Sequence, residues 1–175
     1  MCCDFEYFFD CLIRACESIG NHYFKIEVAG SKELIYRERV YCYELYHQLR
    51  NVLGVDFPYK LDGELDKINH PELQSFIKDK KPDFVVHVPG DMERNLVVIE
   101  VKAISTRIKR LQDDLKTLQI FLDKAKYYRA IMFIYGNDKS SNIERIKGEF
   151  KVFSNDQILL VWHKEPMEKP QLLDI

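Results

Sequence analysis

The sequence predicts an α/β fold in which a central mixed sheet of four or more strands is flanked by helices. Three observations carry that expectation. Two runs rich in β-branched residues, DFVVHV and LVVIEVKA, flank the polar loop PGDMERN, which is the pattern of a hairpin. Two further runs, RAIMFIYG and QILLVWH, read as strands, the first of them fully apolar. Around them lie segments whose apolar residues recur with helical period, so helices and strands mix along the chain as in a layered α/β sandwich.

Taken in order, Phe5, Phe8, Leu12, Cys16 and Ile19 form one helical stripe that stops at Gly20-Asn21. HYFKIEV predicts a short strand, RERVYCYELYHQLRNVL a second helix, and FPYKLDGEL a strand or extended turn. After a polar connection comes the hairpin. Ser105 or Thr106 can then cap a long helix whose buried stripe is Ile104, Ile108, Leu111, Leu115, Leu118 and Leu122. Gly136-Asn137 ends the strand RAIMFIYG, and a short helix, SNIERIKGEF, precedes the last strand. With 175 residues and no repeat, low-complexity tract or linker, residues 1–175 are expected to form one domain.

Composition narrows the function classes. No run approaches the roughly 20 apolar residues of a membrane span, and MCCDFEYFFDCL carries acids where a signal peptide needs bases. The five cysteines show no CxxC spacing, so they read as reduced thiols of a cytoplasmic protein rather than a disulfide framework or zinc site. A formal net charge of −2 offers no global attraction for polyanions. Any nucleic-acid binding must come from local basic patches or bound metal.

The hairpin carries charge where a buried strand should be apolar. Asp83, Val85 and His87 share one face of the first run, and Leu96, Val98, Glu100 and Lys102 one face of the second. Closing the hairpin by pairing Val88 with Asn95 sets Asp83 opposite Glu100, with Cβ atoms about 5 Å apart. A shift of two residues sets Asp83 opposite Lys102 instead. Either register gathers an aspartate, a glutamate and a lysine at one end. Adjacent carboxylates repel unless a proton or a cation joins them, and such oxygen-rich pairs suit Mg²⁺. A neighbouring lysine can stabilise a phosphate transition state or position water. The pattern therefore has the chemistry of metal-assisted phosphodiester hydrolysis. E-x-K by itself is equally served by a cross-strand ion pair.

Pro82-Asp83 and Glu100-Val101-Lys102, set in a hairpin followed by a long helix and an apolar strand, resemble the PD-(D/E)xK nucleases of the restriction-endonuclease-like superfamily. The run KKPDFVVHVPGDMERNLVVIEVKA with the DDLKTL helix is similar to bacterial members of that group, over roughly residues 36–136, with N- and C-terminal additions. The resemblance implies a restriction-endonuclease-like sandwich and a Mg²⁺- or Mn²⁺-dependent nuclease acting on DNA ahead of RNA. Asp83, Glu100 and the Val101 carbonyl would bind the metal, and Lys102 would orient or activate water. Family members add a helix glutamate; on a wheel of 100° per residue, Glu38 lies on the stripe of Tyr41, Cys42, Leu45, Leu49 and Val52, whereas Glu44 falls on its flank and His47 faces solvent. Glu38 is therefore the expected fourth catalytic residue. A first-turn glutamate favoured by the helix dipole is the plainer alternative. Another acid often precedes PD in such sequences; here Pro58 stands near that place, with Asp56 and Glu64 as substitutes.

His87 lies about 13 Å along the strand from Asp83, too far to share an ion. Arg107, Lys109, Arg110 and Lys116, and Lys78, Lys80 and Lys81, could contact flanking phosphates; a solvated helix face serves the first group equally, and Asp113 and Asp114 dilute it. Tyr127, Tyr128 and Trp162 read most simply as packing residues. A homodimer is compatible with cutting both strands. The competing reading is a non-catalytic nucleic-acid-binding or assembly module that keeps the nuclease fold.

Overall fold

The computed structural model describes residues 1–30, 33–64, 81–138, 140–153 and 155–174. Its elements run α1 (Cys2–Cys16), α2 (Asn21–Phe24), α3 (Glu38–Leu53), β1 (Lys60–Gly63), β2 (Phe84–Val88) and β3 (Asp91–Ala103). They continue with α4 (Ile108–Ala125), β4 (Arg129–Tyr135), α5 (Ser140–Phe153), β5 (Ile158–His163) and β6 (Gln171–Leu172). One six-stranded sheet has the order β1-β2-β3-β4-β5-β6. Its middle pairs, β3/β4 and β4/β5, are parallel, while β1/β2, β2/β3 and β5/β6 are antiparallel.

Alternation along the strands makes two cores. Phe84, Val86, Val97, Ile99, Val101, Phe133 and Tyr135 pack beneath α1 and α3. Val85, Val98, Met132, Ile134, Ile158 and Leu160 pack beneath α4 and α5. Both parallel connections, β3-α4-β4 and β4-α5-β5, step the same way across the sheet, so crossovers of one hand leave both helices on one face. Among the described residues no helix is long and apolar enough to cross a membrane. All five cysteines are free, with Cys11, Cys16 and Cys42 buried.

Several elements depart from the sequence expectations. HYFKIEV contains no strand: α2 takes up Asn21–Phe24, and Ile26 makes only an isolated bridge to Ile35. Phe24 instead inserts edge-on between Tyr41, Tyr135 and His163, a burial that local propensity cannot foresee. Neither Ser105 nor Thr106 caps α4; its N-cap is Arg107, with no side-chain cap bond. Most of the expected loop PGDMERN is strand, since β3 begins at Asp91 and Val88 pairs with Asp91, not Asn95. Irregularities after Val86 and after His87 absorb the difference, and beyond them Leu96 packs in the same core as Val97 rather than with Val98. The polar connection, including Lys78 and Lys80, lies outside the described residues.

One packed unit sets the position of α3. Tyr41 is fully buried and stacks on Tyr135 with centroids 4.0 Å apart. Its hydroxyl lies 2.6 Å from His163 Nδ1. Burial raises the Tyr41 hydroxyl pKa, so the O–H keeps its proton and donates. Burial also lowers the His163 pKa to about 4, against the opposing pull of the Glu168 and Glu165 backbone, so the ring accepts as neutral imidazole. Glu38 stands one turn before Tyr41 on the same helix face, so this anchor fixes where Glu38 meets the sheet.

The strand end beside this unit leaves no room for a side chain. Gly136 has φ +101°, and a Cβ there would lie 2.5 Å from the Tyr36 ring. Its carbonyl accepts a bond from Trp162 Nε1 at 2.9 Å. Gly136→Ala combines left-handed strain with a clash, and is expected to cost about 2–3 kcal/mol. Thermal unfolding checks this; an unchanged midpoint would show that Tyr36 simply moves aside.

Candidate functional site

The site lies at the carboxyl end of β3, where the sheet switches from antiparallel to parallel pairing. Crevices at such strand ends are where open α/β sheets bind ligands. Phe84↔Ile99 is the last pair of the β2/β3 ladder, so Asp83 stands opposite Glu100, the first of the two registers that the hairpin allows. Asp83 Oδ2 accepts the Val101 backbone N–H at 2.7 Å, which closes the ladder with a carboxylate. Glu100 and Lys102 point to the α4 side of β3, since both alternate with Val101 of the other core. Glu38 comes from the first turn of α3.

Lys102 is the centre of the arrangement. Its Nζ lies 3.3 Å from Glu100 Oε2, 3.4 Å from Asp114 Oδ2, 3.7 Å from Asp83 Oδ2 and 3.9 Å from Glu38 Oε2. It also donates to the Val101 carbonyl at 3.0 Å. All four expected catalytic residues, Glu38, Asp83, Glu100 and Lys102, therefore meet in one place. Glu44 does not; it accepts a bond from Gln48 at 2.6 Å. Asp56 lines a separate cavity near the N-terminus, and Glu64 pairs with Arg39 at 2.9 Å. His87 bonds Asp62 across β1/β2 at 2.9 Å.

Asp114 is the residue that sequence reasoning missed, because it reads as one of two acids diluting a basic helix face. On a 100° wheel, however, it falls between the buried Phe121 and Ala125, about 20° from each, and so inside the buried stripe. An acid within an apolar stripe, on the helix following E-x-K, was the legible signal.

Burial sets the electrostatics. Glu100 is 5% exposed and Lys102 8%. Burial drives the Glu100 pKa well above the usual carboxylate range, and Asp83 and Asp114 push it the same way against the opposing Lys102 charge. For Lys102 burial alone would lower the pKa, but Glu100, Asp83, Asp114 and Glu38 outweigh it and hold the group above an ordinary lysine. The ammonium is thus charged, and Glu100 takes up a proton more readily than an ordinary glutamate. A raised carboxyl pKa favours the fold below the unfolded value, and that stability is lost as pH rises through the folded value. Glu100→Gln mimics the protonated form. We expect it to remove this pH dependence, so that its melting temperature relative to wild type climbs between pH 5 and 8 in EDTA. A constant difference across that range would count against burial as the cause.

The cavity here, of about 430 Å³, is lined by Glu38, Lys81, Asp83, Glu100, Lys102, Arg110, Asp113, Asp114 and Thr117. Five carboxylates against three basic groups leave it acidic. Among the described residues no three His, Cys, Asp or Glu side chains form a preformed metal cluster; the carboxylates converge on the ammonium instead of on one another. The donor set nevertheless fits a hard divalent cation, being all oxygen, carboxylate-rich and open to solvent positions. The ammonium with its five oxygen neighbours marks where positive charge is favoured.

Comparisons with protein-family models, curated proteins and solved structures give no match, so the geometry alone carries the functional reading. What fold and site define is an α/β protein whose mixed sheet presents a lysine-centred carboxylate cluster at a strand end.

Proposed function

We propose that this protein is a metal-dependent nuclease of restriction-endonuclease-like fold, hydrolysing phosphodiester bonds in DNA ahead of RNA. The observation that carries the reading is the convergence of Glu38, Asp83, Glu100 and Lys102, from three separate chain segments, in one acidic cavity. A solvated ion pair needs two residues; it does not need three further carboxylates gathered around a buried lysine. Asp83, Glu100 and the Val101 carbonyl would hold Mg²⁺ or Mn²⁺, with Glu38 and Asp114 beside them. Bound there, the cation would polarise the scissile phosphate and make water more acidic. Lys102 would then orient the attacking water or steady the charge growing on the phosphate. Glu100, whose burial favours the protonated form, would give up its proton when a cation arrives.

The test is incubation with plasmid, single-stranded DNA and RNA in Mg²⁺, Mn²⁺ or EDTA. Cleavage that needs metal is expected. Purified protein that cuts none of these with either metal would defeat the proposal.

A second reading, a non-catalytic nucleic-acid-binding or assembly module, is favoured by one observation: Lys102 already neutralises much of the cluster without a metal. Calorimetric titration with Mn²⁺ separates the two, because only the nuclease requires a metal that competes with the ammonium.

A further inference from the structure

The mouth of the acidic cavity is not uniformly charged. Beside it, sharing Glu38 and Arg110 with it, lies a second cavity of about 430 Å³ lined by Arg37, Arg107, Arg110, Ser105, Thr106 and Tyr36, with Ala103 and Glu38 completing the wall. Three arginines face a single carboxylate there. Among the described residues none of the three has an ion-pair partner, so their guanidinium donors are free for a ligand. Arginine presents planar, paired donors matched to a phosphate group.

Two independent features mark this as a built pocket. Thr106 is 7% exposed, and its Oγ1 has no hydrogen-bond partner among the described residues. A buried hydroxyl left without a partner is destabilising, and Thr106 lines this cavity. The loop that carries it is held firmly: the Thr106 N–H donates to the Ala103 carbonyl at 2.9 Å, and Arg145 donates to the Thr106 carbonyl at 3.1 Å. The pocket also sits at the start of α4, an 18-residue helix whose N-cap has no side-chain cap bond. The first N–H groups of that helix and its dipole favour an anion.

We infer that the Arg37–Arg107–Arg110 pocket binds a phosphate group of the nucleic-acid strand neighbouring the scissile one. This rests on the nuclease reading for its substrate class. The strand would cross Glu38, with one phosphate at the carboxylate cluster and the next among the arginines. That division answers how a chain of net negative charge can hold a polyanion: attraction is concentrated in one cavity next to the acidic one. Thr106 Oγ1 would donate to a phosphate oxygen and so gain the partner it lacks.

The experiment measures binding of a fluorescein-labelled single-stranded DNA 12-mer by anisotropy, in Ca²⁺ buffer across a salt series. The Arg37→Ala/Arg107→Ala double variant is expected to bind roughly tenfold or more weakly. Its slope of log affinity against log salt should flatten by about 0.7 for each phosphate that the variant leaves unneutralised. Lys147→Ala/Lys169→Ala, which removes the same charge outside both cavities, should change affinity less than threefold. Thr106→Val should weaken binding several-fold while melting no lower than wild type, since it deletes an unpartnered hydroxyl. Unchanged affinity and salt slope in the arginine variant would overturn the inference, as would an equal weakening in the lysine control. Cleavage plays no part in this readout. DNA binding that needs the arginines in a protein that cuts nothing would support the pocket and defeat the nuclease reading, and the reverse pattern would do the opposite.

Discussion

Lys102→Met is expected to abolish cleavage and to lower the stability of the metal-free protein by about 3 kcal/mol at pH 8. Methionine keeps the aliphatic stem but removes the charge on which Glu100, Asp114, Asp83 and Glu38 converge. Glu100 is almost fully buried, and a buried carboxylate deprived of its counter-charge carries its whole desolvation cost. For a chain of 175 residues this corresponds to a fall of roughly 6–12 °C in melting temperature. The sign with pH follows from the raised Glu100 pKa. At pH 5 Glu100 can take up a proton, the repulsion drops, and the variant should approach wild type. Millimolar Mn²⁺ should restore part of the loss at pH 8, because a cation that binds only the folded state stabilises it. Scanning calorimetry in EDTA and in Mn²⁺ at the two pH values checks every part of this. Wild-type melting of Lys102→Met in EDTA at pH 8 would show that the ammonium does not neutralise the cluster.

Asp83→Ala is expected to weaken Mn²⁺ binding at least a hundredfold, roughly 2.7 kcal/mol, and to eliminate cleavage. Asp83 has two separable tasks. Its charge belongs to the cluster, and its Oδ2 accepts the Val101 N–H that ends the β2/β3 ladder. Asp83→Asn keeps an acceptor for that N–H but loses the charge. It should match Asp83→Ala in diminished metal affinity while retaining most of the stability, whereas Asp83→Ala should cost a further 1–2 kcal/mol, roughly the worth of one buried hydrogen bond. Calorimetric Mn²⁺ titration beside thermal unfolding separates the tasks. Full Mn²⁺ affinity in Asp83→Asn would remove Asp83 from the metal-binding set.

The parallel core strands were legible because their apolar runs are long and unbroken, and α3 and α4 because their apolar stripes hold helical period over four turns. The strand at HYFKIEV was misread because its apolar residues serve tertiary partners, with Phe24 entering the Tyr41–Tyr135–His163 group. The hairpin loop was misread for another reason. A β-bulge leaves no mark in a polar sequence, so DMERN looked like a loop although it extends β3.

By itself the sequence determined the Asp83, Glu100 and Lys102 constellation, because a period of two and a hairpin's closure force those three to one end. The helical wheel also set Glu38 on the buried stripe of α3 and Glu44 on its flank, because that angle is a property of the chain. Only the tertiary structure decided that Asp114 joins them, since that depends on how α4 lies across β3 and not on any local spacing. The same packing decided that Lys102, rather than a gap, sits among the carboxylates, and that three arginines from the start of α3 and the start of α4 share one cavity. Distances between elements are set by the volume of the core beneath them, and no pattern within a single element records that volume.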